Sequence, residues 1–271
     1  MIKQYEEMNE QEKLEWTFRE KIVKQKRQPN TTVEVYGKDT GGKFTVGQRG
    51  LDGFTHDAIQ DIDWALPENQ FGYKWNKHGY RGPDDNNGVD IIFAGSSLTI
   101  GTGVPYEKSY PHLVSQELNL KHINISDFDT LTDLADSLFN FQHLNPSFVI
   151  LNDCWAINSV NWLMRFWLKK ERNNDTRKII KDIFYDSNSK VMKLFDLAIK
   201  QAFPNAKCFI LEPEEKRKFW AYEYELQNIK SVAYAKNDIV DLGRDQTHPG
   251  PKTHKVFADK IIKLIKDSKD L

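Results

Sequence analysis

Val89-Asp90-Ile91-Ile92-Phe93-Ala94-Gly95-Ser96-Ser97-Leu98-Thr99-Ile100-Gly101-Thr102-Gly103 is the stretch whose reading decides the fold. Its opening run is short and, apart from Asp90, apolar or β-branched, and glycine stops it, as in a strand buried on both faces. Four further runs of the same texture follow: His122 to Ile125, Phe148 to Leu151, Lys207 to Leu211 and Asp238 to Leu242. Between them lie helical stripes. Tyr110, Leu113, Val114 and Leu118 share one face; Leu134, Leu138 and Phe141 share another; Val191, Leu194, Phe195 and Ile199 form a third. After the last run, Phe257, Ile261, Leu264 and Ile265 recur at i, i+4, i+7 and i+8. Strands alternating with helices predict an α/β domain over 89–271, with a parallel sheet between two helical layers. Right-handed crossovers narrow the topology to a three-layer sandwich with five strands.

Working outward, 1–88 reads as a separate lead-in. Residues 3–27 are charged and helix-prone, with Leu14, Phe18 and Ile22 on one stripe. Such an arm docks on its own domain or on a partner chain, and it offers a route to a homo-oligomer. From Gln28 to Gly88 the chain is rich in Gly, Asn and Asp, with a β-prone piece at Thr32 to Tyr36. Asn158 to Ser189 is longer than a crossover requires and carries Trp162, Phe166 and Trp167 ahead of a polar run from Lys169 to Asp175. It reads equally as a substrate lid and as a helix covering the core.

Composition excludes several classes. The chain has 271 residues, enough for a sizeable core. Its 38 basic and 39 acidic residues nearly cancel, which gives no electrostatic case for binding nucleic acid or an anionic membrane. No run approaches the roughly 18 apolar residues of a membrane helix. The N-terminal MIKQYEEMNEQEK lacks an apolar signal core, so a cytoplasmic location is expected. Cys154 and Cys208 make no disulfide framework and read as thiols in or beside core strands. Cys and His are too scattered for a zinc site, and no cofactor is implied.

Ser97 lies just past the first strand, and Asp245-Gln246-Thr247-His248-Pro249 lies just past the expected fifth. In a parallel sheet both points fall on the carboxyl edge, where ligands bind. A serine hydroxyl needs a base to take its proton as it attacks. His248 is that candidate base, and Asp245, three residues earlier, is the candidate carboxylate orienting its ring. Pro249 suits the first turn of a helix beginning at His248. Gly95 allows a tight exit from the strand, while Gly101 and Gly103 let the backbone pass close to a ligand. Amide N–H groups near Ser97 are expected to form part of an oxyanion hole.

Gly95-Ser96-Ser97-Leu98-Thr99-Ile100-Gly101 resembles the first block, Gly-Asp-Ser-Leu-Thr-x-Gly, of the SGNH or GDSL-type serine hydrolase superfamily, and Asp245 to Pro249 resembles its last, Asp-x-x-His-Pro. The run to His254 also fits, and Asn76-Lys77-His78-Gly79-Tyr80-Arg81-Gly82 resembles a lead-in of some members. The resemblance implies a flavodoxin-like sandwich with Ser97 as nucleophile, His248 as base and Asp245 as its partner. The middle blocks depart from the pattern. Asn124 to Asp129 lacks the family's glycine, leaving the Asp129 N–H as the nearest positional donor. A carboxylate beside a developing oxyanion is unfavourable unless turned away. For Gly-x-Asn-Asp the chain reads Leu151 to Asn158, so the oxyanion amide is Asn158 if the strand continues through Cys154, or Asn152 if it stops sooner. Neither falls in perfect register with the block, and Asn158 is the preferred of the two.

Other residues read blandly. Arg81 could reach the active edge, but a surface ion pair is the expected role. His78, His112, His122 and His143 are expected in solvated or packing roles, and His254 in a structural one. By the resemblance the protein is expected to hydrolyse a small-molecule or glycan ester, such as an O-acetyl sugar. Two alternatives stay open: a non-catalytic carbohydrate-binding or assembly module with a degraded oxyanion hole, and an O-acyltransferase.

Overall fold

A computed structural model of the chain describes residues 32–34, 72–84, 88–126, 131–152, 173–214, 226–243 and 248–269. Two short strands of the lead-in, β1 (Thr32–Glu34) and β2 (Gly72–Lys74), pair antiparallel. The main sheet holds β3 (Ile91–Ala94), β4 (His122–Asn124), β5 (Phe148–Asn152), β6 (Lys207–Pro213) and β7 (Ile229–Tyr234) in the order β4-β3-β5-β6-β7. Each neighbouring pair is parallel. The order is that of a flavodoxin-like sheet, whose direction of winding reverses between β3 and β5.

Alternation along the strands sorts the core into two layers. Ile92, Ala94, Ile123, Val149, Leu151 and Ile210 face helices α3 (Leu131–Asn140) and α4 (Asn174–Ala202). On the other face, Ile91, Phe93, Ile150, Phe209 and Leu211 meet helices α2 (Tyr110–Leu118) and α5 (Pro251–Lys269). A single helical turn, α1 (Ser97–Ile100), follows β3. The expected α/β sandwich is therefore present.

Three details differ from the sequence reading. The fifth strand is Ile229–Tyr234, and Asp238 to Leu242 instead closes a 3-10 turn and leads toward α5. β7 is an edge strand with Lys230 and Ser231 exposed, so its apolar signal is diluted. Asp241, in the misread run, accepts the Lys252 and Thr253 N–H groups at 2.9 and 2.8 Å and caps α5. Second, α5 begins at Pro251, which takes the first-turn role expected of Pro249. Third, the stripe on α4 is rotated: Met192, Phe195 and Ile199 are buried, while Val191 and Leu194 are exposed.

Helix α4 starts after Asn173, whose side chain accepts the Asp175 and Thr176 N–H groups, so much of the expected insertion continues a long helix. Trp162, Phe166, Trp167, Cys154 and the 3–27 arm lie outside the described residues. Cys208 is buried on β6, and burial pushes its thiol up to about 12. Among the described residues no helix is long and apolar enough to cross a membrane.

Candidate active site

Ala94 ends β3, Gly95 follows, and Ser97 opens α1. A Cβ on Gly95 would lie 2.4 Å from Thr99 Oγ1 and 2.8 Å from Asn152 Cβ, so only glycine lets the turn pack this closely on β5. Gly101 closes α1 in the left-handed region at φ +73 and Gly103 follows at φ +80, so these glycines serve the turn itself. The result is a half-buried Ser97 at the carboxyl edge, beside the reversal point of the sheet.

His248 reaches the same edge from the other end of the domain. Leu242 and Pro249 form an antiparallel bridge, the Gly243 N–H donates to the His248 carbonyl at 2.6 Å, and the Gly250 N–H donates to the Asp241 carbonyl at 3.0 Å. A Cβ on Gly250 would sit 2.5 Å from the Asp241 carboxyl carbon, which ties this loop tightly to the capped start of α5. His248 Nε2 lies 2.8 Å from Ser97 Oγ, across 151 positions of sequence. With the Ser97 hydroxyl donating, Nε2 is the acceptor and the ring carries its proton on Nδ1. That arrangement would let the imidazole take the serine's proton.

The other candidates are placed unevenly. Asp245, Asp129 and Asn158 lie outside the described residues. Asn152, the other amide candidate, lies on β5 and is buried there. Its Nδ2 donates to the Leu211 carbonyl at 3.3 Å, and the Ser96 hydroxyl lies 3.5 Å from its Oδ1. The amide thus ties β5 to β6 beneath the serine turn.

Arg81 overturns its sequence reading. It is 1% exposed. Its Nη1 donates to the Ile100 and Gly101 carbonyls at 3.1 and 2.6 Å, and its Nη2 to the Val104 carbonyl at 2.8 Å. Its guanidinium lies 5.7 Å from the Tyr106 ring centroid. Asn124, which no motif singled out, donates its amide to the Thr99 carbonyl at 2.8 Å while its Oδ1 accepts the Ser126 N–H at 3.2 Å. Thr99 Oγ1 and the Tyr110 hydroxyl are 2.8 Å apart, and the Tyr110 N–H donates to His254 Nδ1 at 3.2 Å. Burial, reinforced by the charge of Arg81, holds the His254 imidazole down to about 3, so it is neutral at ordinary pH.

A cleft of about 750 Å³ opens on the flank, between the lead-in and β4, and its walls include Trp75, Tyr106, His112 and His122 but neither Ser97 nor His248. The Tyr106 hydroxyl bonds His122 Nε2 there. Burial raises the phenol far above its ordinary range and lowers His122 to about 4, which keeps the pair neutral. Among the described residues no group of three His, Cys, Asp or Glu is placed to hold a metal ion.

No family model and no curated protein matches the sequence. Solved structures similar to the chain include an acetyl xylan esterase, Est2A, from the rumen bacterium Butyrivibrio proteoclasticus: 12% identity, 70% of this chain and 66% of that one, TM-score 0.44. A family 3 carbohydrate esterase of Clostridium thermocellum is 16% identical over 65% of this chain and 94% of that one, TM-score 0.41. A carbohydrate esterase family 2 enzyme with a carbohydrate-binding domain from Corynascus thermopiles is 13% identical over 76% and 75%, TM-score 0.42. The chain spans about two thirds of the length of the first of these. The strand order carries the α/β assignment by itself.

Proposed function

We propose that the protein is a serine-dependent esterase of the SGNH type, acting on short-chain or O-acetyl esters, including those of glycans. The observation that carries this reading is the 2.8 Å contact between Ser97 Oγ and His248 Nε2 at the carboxyl edge of a parallel sheet. Ser97 Oγ attacks the acyl carbon while His248 Nε2 takes its proton, forming a tetrahedral oxyanion. Collapse of that intermediate expels the alcohol, which receives the proton from His248. Water, deprotonated by the same imidazole, then attacks the acyl-enzyme and returns Ser97 to its starting state. In this scheme Asp245 accepts the Nδ1–H and stabilises the imidazolium. Backbone N–H groups at the Ser97 turn supply part of the oxyanion hole. The acyl and glycan preference rests on the resemblance of the two terminal sequence blocks.

The test is labelling with a fluorophosphonate together with hydrolysis of p-nitrophenyl acetate and acetylated xylo-oligosaccharide. The wild type should label on Ser97, and Ser97→Ala should lose labelling and at least roughly 10³-fold in kcat. Unchanged hydrolysis by Ser97→Ala would remove the mechanism. A wild type that neither labels nor hydrolyses would return the chain to the non-catalytic reading.

A further inference from the structure

We infer that Arg81 is a positioning residue for the nucleophile, acting on Ser97 through the backbone carbonyls at the far end of α1; this rests on the esterase reading above. A helix of one turn cannot hold its own geometry, because nucleation costs more than its few hydrogen bonds return. Its last carbonyls also lack intrahelical donors. α1 runs only from Ser97 to Ile100, so the direction of the Ser97 hydroxyl is set by whatever grips the other end of the turn.

The grip is made of side chains. Arg81 takes the carbonyls of Ile100, Gly101 and Val104, and Asn124 takes that of Thr99. Three acceptors separated along a turning backbone match the planar fork of a guanidinium, whereas an ammonium is a compact point charge on a flexible stem. The positive charge also stands where the α1 carbonyls converge, the favourable end of the peptide dipoles. Arg81 is itself held in place. Asn76 Oδ1 accepts the His78 and Tyr80 N–H groups at 3.0 Å each, Asn76 Nδ2 donates to the Pro83 carbonyl, and Trp75 and Arg81 form a β-bridge. On its other side Gly82, at φ +122, lets the chain pass under Tyr106, where a Cβ would lie 2.5 Å from the phenolic oxygen. The segment from Trp75 to Pro83 therefore works as a bracket that delivers one guanidinium to the underside of the serine turn.

The experiment uses the full chain as Arg81→Lys and Arg81→Ala, compared with wild type by kcat, KM, fluorophosphonate labelling rate and urea midpoint. A displacement of about 1 Å at a reacting atom can cost on the order of 10²-fold in rate. Arg81→Lys should remain folded, with kcat and labelling rate lowered roughly 10- to 100-fold and KM within about twofold. Adding non-denaturing guanidinium to Arg81→Ala should restore part of kcat in a saturable way, which a general loss of stability would not show. A folded Arg81→Lys with wild-type kcat overturns the inference, as does a rise in KM at constant kcat. Failure of Arg81→Lys to fold also overturns it, since the arginine would then serve the fold at large. Wild-type labelling decides the esterase reading separately: a labelled wild type with an unaffected variant sinks only the role of Arg81, and an unlabelled wild type sinks both.

Discussion

His254 should give this protein an acid sensitivity that one substitution removes. Its Nδ1 accepts the Tyr110 N–H at 3.2 Å, its ring stacks on Tyr110 at 5.9 Å, and it is fully buried. Protonation would forfeit the acceptor and place a charge in the core, which is why the group sits at about 3 against an ordinary 6.5. Below 6.5 the unfolded chain binds a proton at this residue that the folded chain refuses, so stability falls as pH falls until about 3. Each pH unit in that window removes about 1.4 kcal/mol, and the whole window on the order of 5 kcal/mol. That is a large share of the roughly 5–15 kcal/mol that stabilises a domain. His122, lowered to about 4, acts in the same direction. Asp241, raised by burial, acts in the opposite direction above 3.8, because its folded form holds a proton longer. Comparison with His254→Asn isolates the histidine: the asparagine Oδ1 stands where Nδ1 stood and does not titrate. Urea unfolding followed by tryptophan fluorescence at pH 7, 6, 5 and 4 should show the variant less stable at pH 7, owing to lost ring volume. The two stability curves should then converge by about 1.4 kcal/mol per pH unit below about pH 6. Parallel curves would refute the reasoning.

Two further substitutions test how the site is held. Gly95→Ala forces a methyl onto Thr99 Oγ1 and Asn152 Cβ, so it should cost about 1–3 kcal/mol by urea unfolding and lower the fluorophosphonate labelling rate of Ser97; an unchanged labelling rate would show that the close approach is incidental. Asp241→Ala deletes the acceptor for the Lys252 and Thr253 N–H groups and should cost about 1–3 kcal/mol, with kcat falling as the His248 loop loosens; full stability in differential scanning calorimetry would remove the capping argument.

What the sequence made legible, and what it hid, divides along a physical line. Ser97 and His248 could be paired from sequence because both side chains are chemically distinctive and a parallel sheet delivers successive strand ends to one edge. That inference survived a misplaced fifth strand, because the true strand, Ile229–Tyr234, still ends ahead of the His248 loop. The error there was one of local texture. Edge position leaves Lys230 and Ser231 in solvent, whereas Asp238 to Leu242 is aliphatic enough to imitate a strand while Asp241 turns its carboxylate to the α5 amides. Arg81 was misjudged for a deeper reason. A buried cation advertises itself in sequence only through a charged partner, and here its acceptors include three backbone carbonyls 19 to 23 positions away. Every residue carries such a carbonyl, so no residue type marks the places where the guanidinium docks. Asn124 was invisible on the same grounds, since its partner is the carbonyl of Thr99. Candidate reacting groups are written in side chains and can be read from one sequence. The scaffold that aims them is written largely in backbone acceptors, and it becomes readable only once the chain has folded around them.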